Sequence, residues 1–479
     1  MLTKNLNPVL LLFCLFFTSA CAETLSAVNT IGAVKDELTE DQDPESRPKP
    51  DKRDTVRKEI SLRSPRGLTE ACIIPKKWEL GSYSLKDVEK ENRLCSYDFY
   101  TNIGVCPKYN STNPGILLIN PTDKYSKQAI DASSCDVKKM GLPTDAKFKQ
   151  SISCSYTPAI LAYYQVSRIL GDIGQVPVSV YRTMDISIHK QLTDKAVKHL
   201  AGGTTQIART WLQFAQVHRS PSQHPQLVDR SQNFIYGALS DNVKGEEQYI
   251  EVSGRGTYET RYERFLSQPP YRRLLDPRPI SQMLNSADFV KVAPTVVQMK
   301  DVSEMILLDF ILNQQDRIGN IHYKYYWYYL DPQNPQNILR KKSKAALKKD
   351  ILVVPDDETA EMAGKQAVLL KQMILRDNDC GVTKSNMMRK YGALERVRHF
   401  SPQTYQKFIE FAKQVQQPEG DSYMKNELFF TDMDIKKVKD NVARAKQILV
   451  SKCRSGELNF DLDLAIYTPG GRLPQVACE

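Results

Sequence analysis

The chain has 479 residues, 41% of them hydrophobic and 25% charged, a globular composition that excludes disorder throughout. At about 150 residues per domain this length allows two to four units and a large core. Lys and Arg outnumber Asp and Glu by 66 to 56, for a net charge of +10. The excess is mild and spread out; it suits an anionic ligand and gives no reason to expect a nucleic-acid partner.

Lys4 precedes an apolar run from Val9 to Phe17, and Ala20-Cys21-Ala22 supplies small residues for signal-peptidase cleavage before Glu23. The expected product is exported: secreted, periplasmic or held in a secretory lumen. A lipoprotein acylated on Cys21 is the alternative, with Thr18 a poor residue for that signal. Past residue 22 no uncharged apolar run reaches the roughly 18 residues of a membrane span, so no transmembrane span is expected. Cleavage leaves eight cysteines, Cys72, Cys95, Cys106, Cys135, Cys154, Cys380, Cys453 and Cys478. An even number in an oxidising compartment favours disulfides, whose connectivity the spacing does not select. No C-x-x-C pair occurs and the six histidines are scattered, which argues against zinc. Asn110-Ser111-Thr112 is a glycosylation sequon if the source is eukaryotic.

Residues 23–66 read as a disordered tether, acidic from Asp36 to Glu45 and then rich in Pro, Lys and Arg. Globular sequence is expected from near Cys72. Gly115–Asn120 (GILLIN) is a buried-strand candidate, and Lys147-Phe148-Lys149 belongs to another. Pro158 fits the first turn of a helix that carries apolar residues from Ala159 to Leu170 and stops at Gly171. A strand returns at Val176–Tyr181, residues 185–232 are helical and then loop-like, and Phe234–Leu239 is a short strand. Val302–Leu312 is an amphipathic helix. Two insertion-like stretches follow, aromatic Tyr323–Tyr329 and basic Arg340–Lys349. The aromatics read as a half-buried strand and the basic run as solvated loop. Gln366–Leu375 is largely apolar, and the chain is helical from Arg398 to about residue 450. Strands in front and helices behind make an α+β chain with two lobes.

The segments that carry chemistry are Leu307–Asn320, LLDFILNQQDRIGN, and Gln372–Gly381, QMILRDNDCG. A helix ends in a polar turn with Asp316, Arg317 and Asn320, and an apolar stretch delivers Asp377 to a second turn. Phosphoryl transfer uses such parts: one carboxylate orients the attacking hydroxyl, while another, with an amide oxygen, holds magnesium. A lone Asp-Arg pair is ordinarily a salt bridge, and a following Asn a turn residue.

Taken together these segments resemble the catalytic core shared by type II phosphatidylinositol 4-kinases, the secreted Golgi casein kinase family and bacterial HipA-type kinases. AILAYYQVSRILGDIGQVPVSV is similar to that group's helix and next strand, and NFIYGALSDNV to the strand before its hinge. The matching pieces run in order from about residue 115 to 380. The resemblance implies a two-lobed, protein-kinase-like fold. A small nucleotide-binding lobe would occupy mainly 67–241, with a helical insertion at 185–232, and a large catalytic lobe 242–479. It implies Asp316 as catalytic aspartate, Asn320 and Asp377 as ligands for Mg2+ or Mn2+, and Lys149 as the lysine on the phosphates of ATP. The implied reaction moves the ATP γ-phosphate to a hydroxyl of a protein, sugar or lipid acceptor. Three features depart from the group: residues 146–184 contain no Glu to pair with the lysine, Asp379 stands where the group has Gly, and Gly104, Gly115 and Gly141 form no glycine-rich loop. They keep open a secreted pseudokinase acting as scaffold, and an adenylyl transferase. His322, two residues past Asn320, reads as structural.

Overall fold

The computed structural model describes residues 51–479. The expected signal peptide, the Cys21 lipidation site and most of the expected tether lie outside the described residues. The architecture is mixed α+β with antiparallel sheets.

Seven strands form the main sheet: β1 (Lys58–Arg63), β2 (Thr69–Ile74), β3 (Gly104–Pro107), β4 (Gly115–Ile119), β5 (Ala146–Gln150), β6 (Ser179–Asp185) and β7 (Phe234–Asp241). Their spatial order is β1-β2-β6-β7-β5-β4-β3, every neighbour pair antiparallel. The stretch expected to be a tether up to residue 66 is structured at its end. There β1 pairs with β2 over six residues, and Arg66 reaches the buried carboxylate of Asp185. Tertiary pairing orders a segment too polar to order itself.

The pleat of β5 sends Phe148 into the core and turns Lys147 and Lys149 to the opposite face. β5 lies between β4 and β7, Lys149 standing opposite Gly115 and Ala238. A Cβ on Gly115 would come within 2.9 Å of the Phe148 carbonyl, so this lone glycine serves strand packing. Helix α1 (Leu85–Ser96) is closed by a Ser84/Asp87 capping box and stapled to β2 by the Cys72–Cys95 disulfide. Helix α2 (Thr157–Ile169) has Pro158 in its first turn, as expected, and every one of its residues is buried. The strand expected at 176–181 begins two residues past Pro177, at Ser179. The stretch 185–232 supplies α3 (Ile186–His199) and α4 (Gln206–Arg219), packed on one another.

The helical part is organised around α5 (Phe289–Ile311), whose N-terminus is capped by the Asp288 side chain. Buried residues occupy most of its 23 positions, the signature of a helix wrapped by neighbours. Against it lie a second sheet, α6 (Pro402–Gln414), bonded to it through Thr404 and Glu304, and, after α7 (Pro418–Asn426), helix α8 (Asp432–Arg454), on which α7 packs. The second sheet contains β8 (Glu247–Gln248), β9 (Ile321–Leu330), β10 (Ile338–Lys342) and, after the small hairpin β11 (Ala346–Lys348)/β12 (Ile351–Val353), β13 (Ala367–Leu375).

β9 corrects one expectation. Its aromatics are the central strand of this sheet, with Tyr323, Tyr325, Tyr326, Tyr328 and Tyr329 all buried, and are no insertion. The basic run that follows is partly strand, and Arg340 is buried, its guanidinium over the Tyr326 ring and donating to Gln372. Among the described residues no helix is long and apolar enough to cross a membrane.

All eight cysteines among the described residues are paired: Cys72–Cys95, Cys106–Cys135, Cys154–Cys380 and Cys453–Cys478. Four disulfides in one chain fit a protein that matures in an oxidising, extracellular-type compartment.

Candidate active site

Four separate pieces of chain meet at one place, each for a local reason. β5 contributes Lys149. β9 and β13 run antiparallel with Ile321 opposite Leu375, so the loop that ends at Asn320 and the turn that begins at Arg376 are neighbours, joined by the Arg376 N–H donating to the Asn320 carbonyl at 3.2 Å. The fourth piece is residues 108–114, which connect β3 to β4 and bring in Lys108 and Asn113.

The turn after β13 is tightly constrained. Asp377 sits in the left-handed region at φ +47°, which kinks the chain out of the strand. Asn378 donates to the Leu375 carbonyl, and the Asp379 carbonyl accepts from the Tyr156 N–H at the start of α2. Cys380 is bonded to Cys154, tying the turn to the loop that follows Lys149. Gly381 passes so close to α2 and α5 that a Cβ there would lie 3.0 Å from both the Leu312 carbonyl and the Tyr163 ring.

The Asp316 loop is held just as firmly. Val382 N–H donates to Leu312 O, Gln315 N–H to Cys380 O, and Asn313 Nδ2 to Val382 O. Asn441 on α8 bonds both the Ile311 carbonyl and Asn313 Oδ1. Beneath the loop the Arg317 guanidinium is wholly buried. It forks onto Asp309 at 2.9 and 3.0 Å, and it also donates to Asn378 Oδ1 and the Arg376 carbonyl. Tyr163 on α2 completes the set by donating to Asp309. Arg317 is thus the joint between the two turns.

Lys149, Asp316, Asn320 and Asp377 all face this junction or border it. The Lys149 ammonium lies 2.7 Å from Asp377 Oδ1 and 3.0 Å from Asp379 Oδ2. Two carboxylates keep it charged despite its burial, and its pKa is raised. Lys149 in turn, with Lys108 and Lys147, holds the Asp377 carboxyl well below the ordinary range. Asp379 is a partner of Lys149 that the sequence did not reveal. Helix α2 carries no acidic residue, so no α2 carboxylate can meet Lys149; Asp379 supplies a buried one instead.

Two more cations face the same acids. Burial lowers the pKa of Lys108, and that of Lys147 to about 7, with Asp377 working in the opposite direction on both. Lys108 carried no signal in the sequence, because only the β3–β4 pairing brings it across. Asp316 is one-third exposed, accepts from Tyr258 Oη at 3.3 Å and lies 3.5 Å from Arg261. Burial pushes its carboxyl up, opposed chiefly by Arg261. Asn320 uses its Nδ2 to hold the Asp316 carbonyl at 2.8 Å, which leaves its side-chain oxygen for another partner. His322, partly buried on β9, has its pKa lowered by burial and makes no contact that calls for a catalytic role.

Among the described residues no three His, Cys, Asp or Glu side chains cluster as a self-sufficient metal site. An ionised carboxylate on one turn and an amide side chain on the loop bonded to it suit magnesium, which needs only one or two protein carboxylates when phosphates and water complete its shell.

No family model matches the chain, and no curated protein matches it.

Proposed function

We propose that the chain is an exported phosphotransferase with a two-lobed, kinase-like fold, passing the ATP γ-phosphate to a hydroxyl. The observation that carries this reading is the convergence of Lys149, Asp377, Asp316 and Asn320 from separate segments, in the order of parts a kinase uses. A hairpin (β3–β4) precedes the lysine strand (β5), a buried helix (α2) follows it, and a helix-to-loop junction and a strand-to-turn junction supply the acids.

In this reading Lys149, with Lys108 and Lys147 beside it, receives the phosphate oxygens, because three lysine side chains there meet only two carboxylates, Asp377 and Asp379. Asp377 and Asn320 would hold Mg2+ or Mn2+, whose charge offsets that of the phosphates. Asp316 orients the acceptor hydroxyl, and its raised pKa suits it to take a proton. The bond from the γ-phosphorus to its bridging oxygen breaks and one from the acceptor oxygen forms. ADP leaves with the bridging oxygen, and the acceptor proton passes through Asp316 to water. Arg317 touches no reactant; it keeps the two turns in register.

Incubation of the full-length protein with Mg2+ or Mn2+ and labelled ATP tests the reading. Label transferred from the γ position to acceptor supports it. Transfer from the α position replaces it with adenylyl transfer, and no transfer from either by protein that still binds nucleotide replaces it with a scaffold.

A further inference from the structure

Beside Asp316 opens a cavity of about 390 Å³, lined among others by Arg255, Tyr258, Arg261, Arg264, Ile318 and Gly319. Ile318 and Gly319 belong to the Asp316 loop itself, so whatever fills the cavity lies against that loop. The volume is that of a small-molecule site.

The lining is unusually cationic. Three arginines contribute to it and no acidic residue does. Arg261 is buried, lies against the Tyr258 ring with its guanidinium carbon 3.5 Å from the centroid, and donates through Nη1 to the Tyr258 carbonyl and through Nη2 to the Gln315 carbonyl. Arg264 donates through Nη1 to Thr260 Oγ1 and the Thr257 carbonyl. The Nε–H of each is buried and has no acceptor. Those two N–H groups are turned away from the open space, so an oxyanion in the cavity meets the remaining guanidinium N–H groups of the three arginines and their charge. The loop that brings these groups together needs its glycines. Gly254 and Gly256 both have positive φ, and a Cβ on Gly256 would meet the Arg264 side chain at 2.9 Å. Exposed Arg255 lies between them. The field reaches Glu259 on the same loop. Its carboxyl is held below the ordinary value by hydrogen bonds from its own backbone and Thr257, and further by Arg261 and Arg264. Tyr258 is 60% exposed, a flat apolar surface between the arginines and Asp316.

We propose that this cavity is the acceptor pocket and that it selects a small hydroxyl compound bearing an oxyanion, a phosphate ester or a carboxylate. The arginines take the oxyanion, the Tyr258 ring carries the body of the molecule, and the hydroxyl is left towards Asp316. This rests on the phosphotransferase reading for the role of Asp316, but the anion selectivity can be measured without turnover.

The test is direct calorimetric binding to the full chain of glucose 6-phosphate, glycerol 3-phosphate and glucuronate, each against glucose or glycerol, for wild type and Arg255→Gln. At least one anionic probe should bind tenfold or more tightly than its neutral counterpart, and Arg255→Gln should reduce that preference to within about twofold at unchanged melting temperature. The two phosphates against glucuronate separate phosphate from carboxylate selection. Equal binding of anionic and neutral probes, or a preference that survives Arg255→Gln, overturns the proposal even if nucleotide binds normally. An acidic serine peptide that binds more tightly than every small anion, through Arg255, overturns the small-molecule assignment. Arg255-dependent anion binding without nucleotide binding would leave the pocket standing and remove the kinase reading.

Discussion

Arg317 and Lys149 are both buried cations that hold the turn after β13, and they are matched to their surroundings in different degrees. Arg317 and Asp309 are fully buried, and Tyr163, Asn378 and the Arg376 carbonyl occupy further positions around the pair. Lys149 also holds two carboxylates, but Asp377 is 31% exposed, and Lys108 and Lys147 stand nearby with no acid within ion-pairing distance among the described residues. The first network is closed and can only be damaged. The second has more lysines than carboxylates and a carboxylate partly open to solvent, the features on which the proposed phosphate and metal site rests. Asn378 sits between Asp377 and Asp379 and belongs to the closed network, so the rigid joint aims the open site.

The comparison is broken most severely at the joint. Arg317→Ala leaves Asp309 buried without its counter-charge and should cost about 3–5 kcal/mol. Chemical denaturation should register that loss, or the variant should fail to fold. A loss under about 1 kcal/mol would mean the pair is not the closed structural element described here.

Asp316→Ala should behave in the opposite way. Turnover should fall by about 10²–10⁴-fold, the usual worth of a positioned acid or base, with melting temperature held and nucleotide affinity within a few-fold of wild type. Lys149→Ala, measured alongside, should weaken nucleotide binding instead. Full label transfer by Asp316→Ala would remove its catalytic assignment.

A smaller effect is expected at Asp377. Magnesium nucleotide at 100 times its Kd should stabilise wild type by about 2.7 kcal/mol, and Asp377→Asn should abolish the magnesium-dependent part. A thermal shift equal in both proteins would show that the metal is held elsewhere.

The smallest effect concerns Lys147 and sharpens the same comparison. Its pKa of about 7 reflects burial first, with Asp377 opposing and Arg376, Lys108 and Lys149 adding to the depression. Below that pH the ammonium is charged and ready for an anion; above it, binding must first add a proton. Nucleotide affinity should therefore decline as pH rises from 7 to 8.5, by at most about tenfold per unit, and Lys147→Gln should flatten the profile. An unchanged slope in the variant would place the titration on another group.

What could be read in the amino acids alone was local. Period-two alternation with a run of apolar neighbours marked β4 and β5, Pro158 and Gly171 bracketed α2, and the apolar run up to Leu312 marked the end of α5, because each of these signals lies within about a dozen residues. The α+β class and the presence of disulfides were legible for the same reason, through composition and cysteine parity. Asp316, Asn320 and Asp377 stood out as polar residues ending apolar segments, which is a local pattern too. The tertiary structure alone decided which cysteines pair, since Cys154 and Cys380 are 226 residues apart and no spacing rule spans that distance. It also made the aromatic run of β9 a central strand, by laying β10 and β13 on either side. Likewise, Asp379 became the partner of Lys149, and Lys108 its neighbour, only when β13 ended beside β5 and the β3–β4 hairpin folded over them. Electrostatic partnership depends on distances of a few ångströms in space, and sequence separation carries almost no information about those.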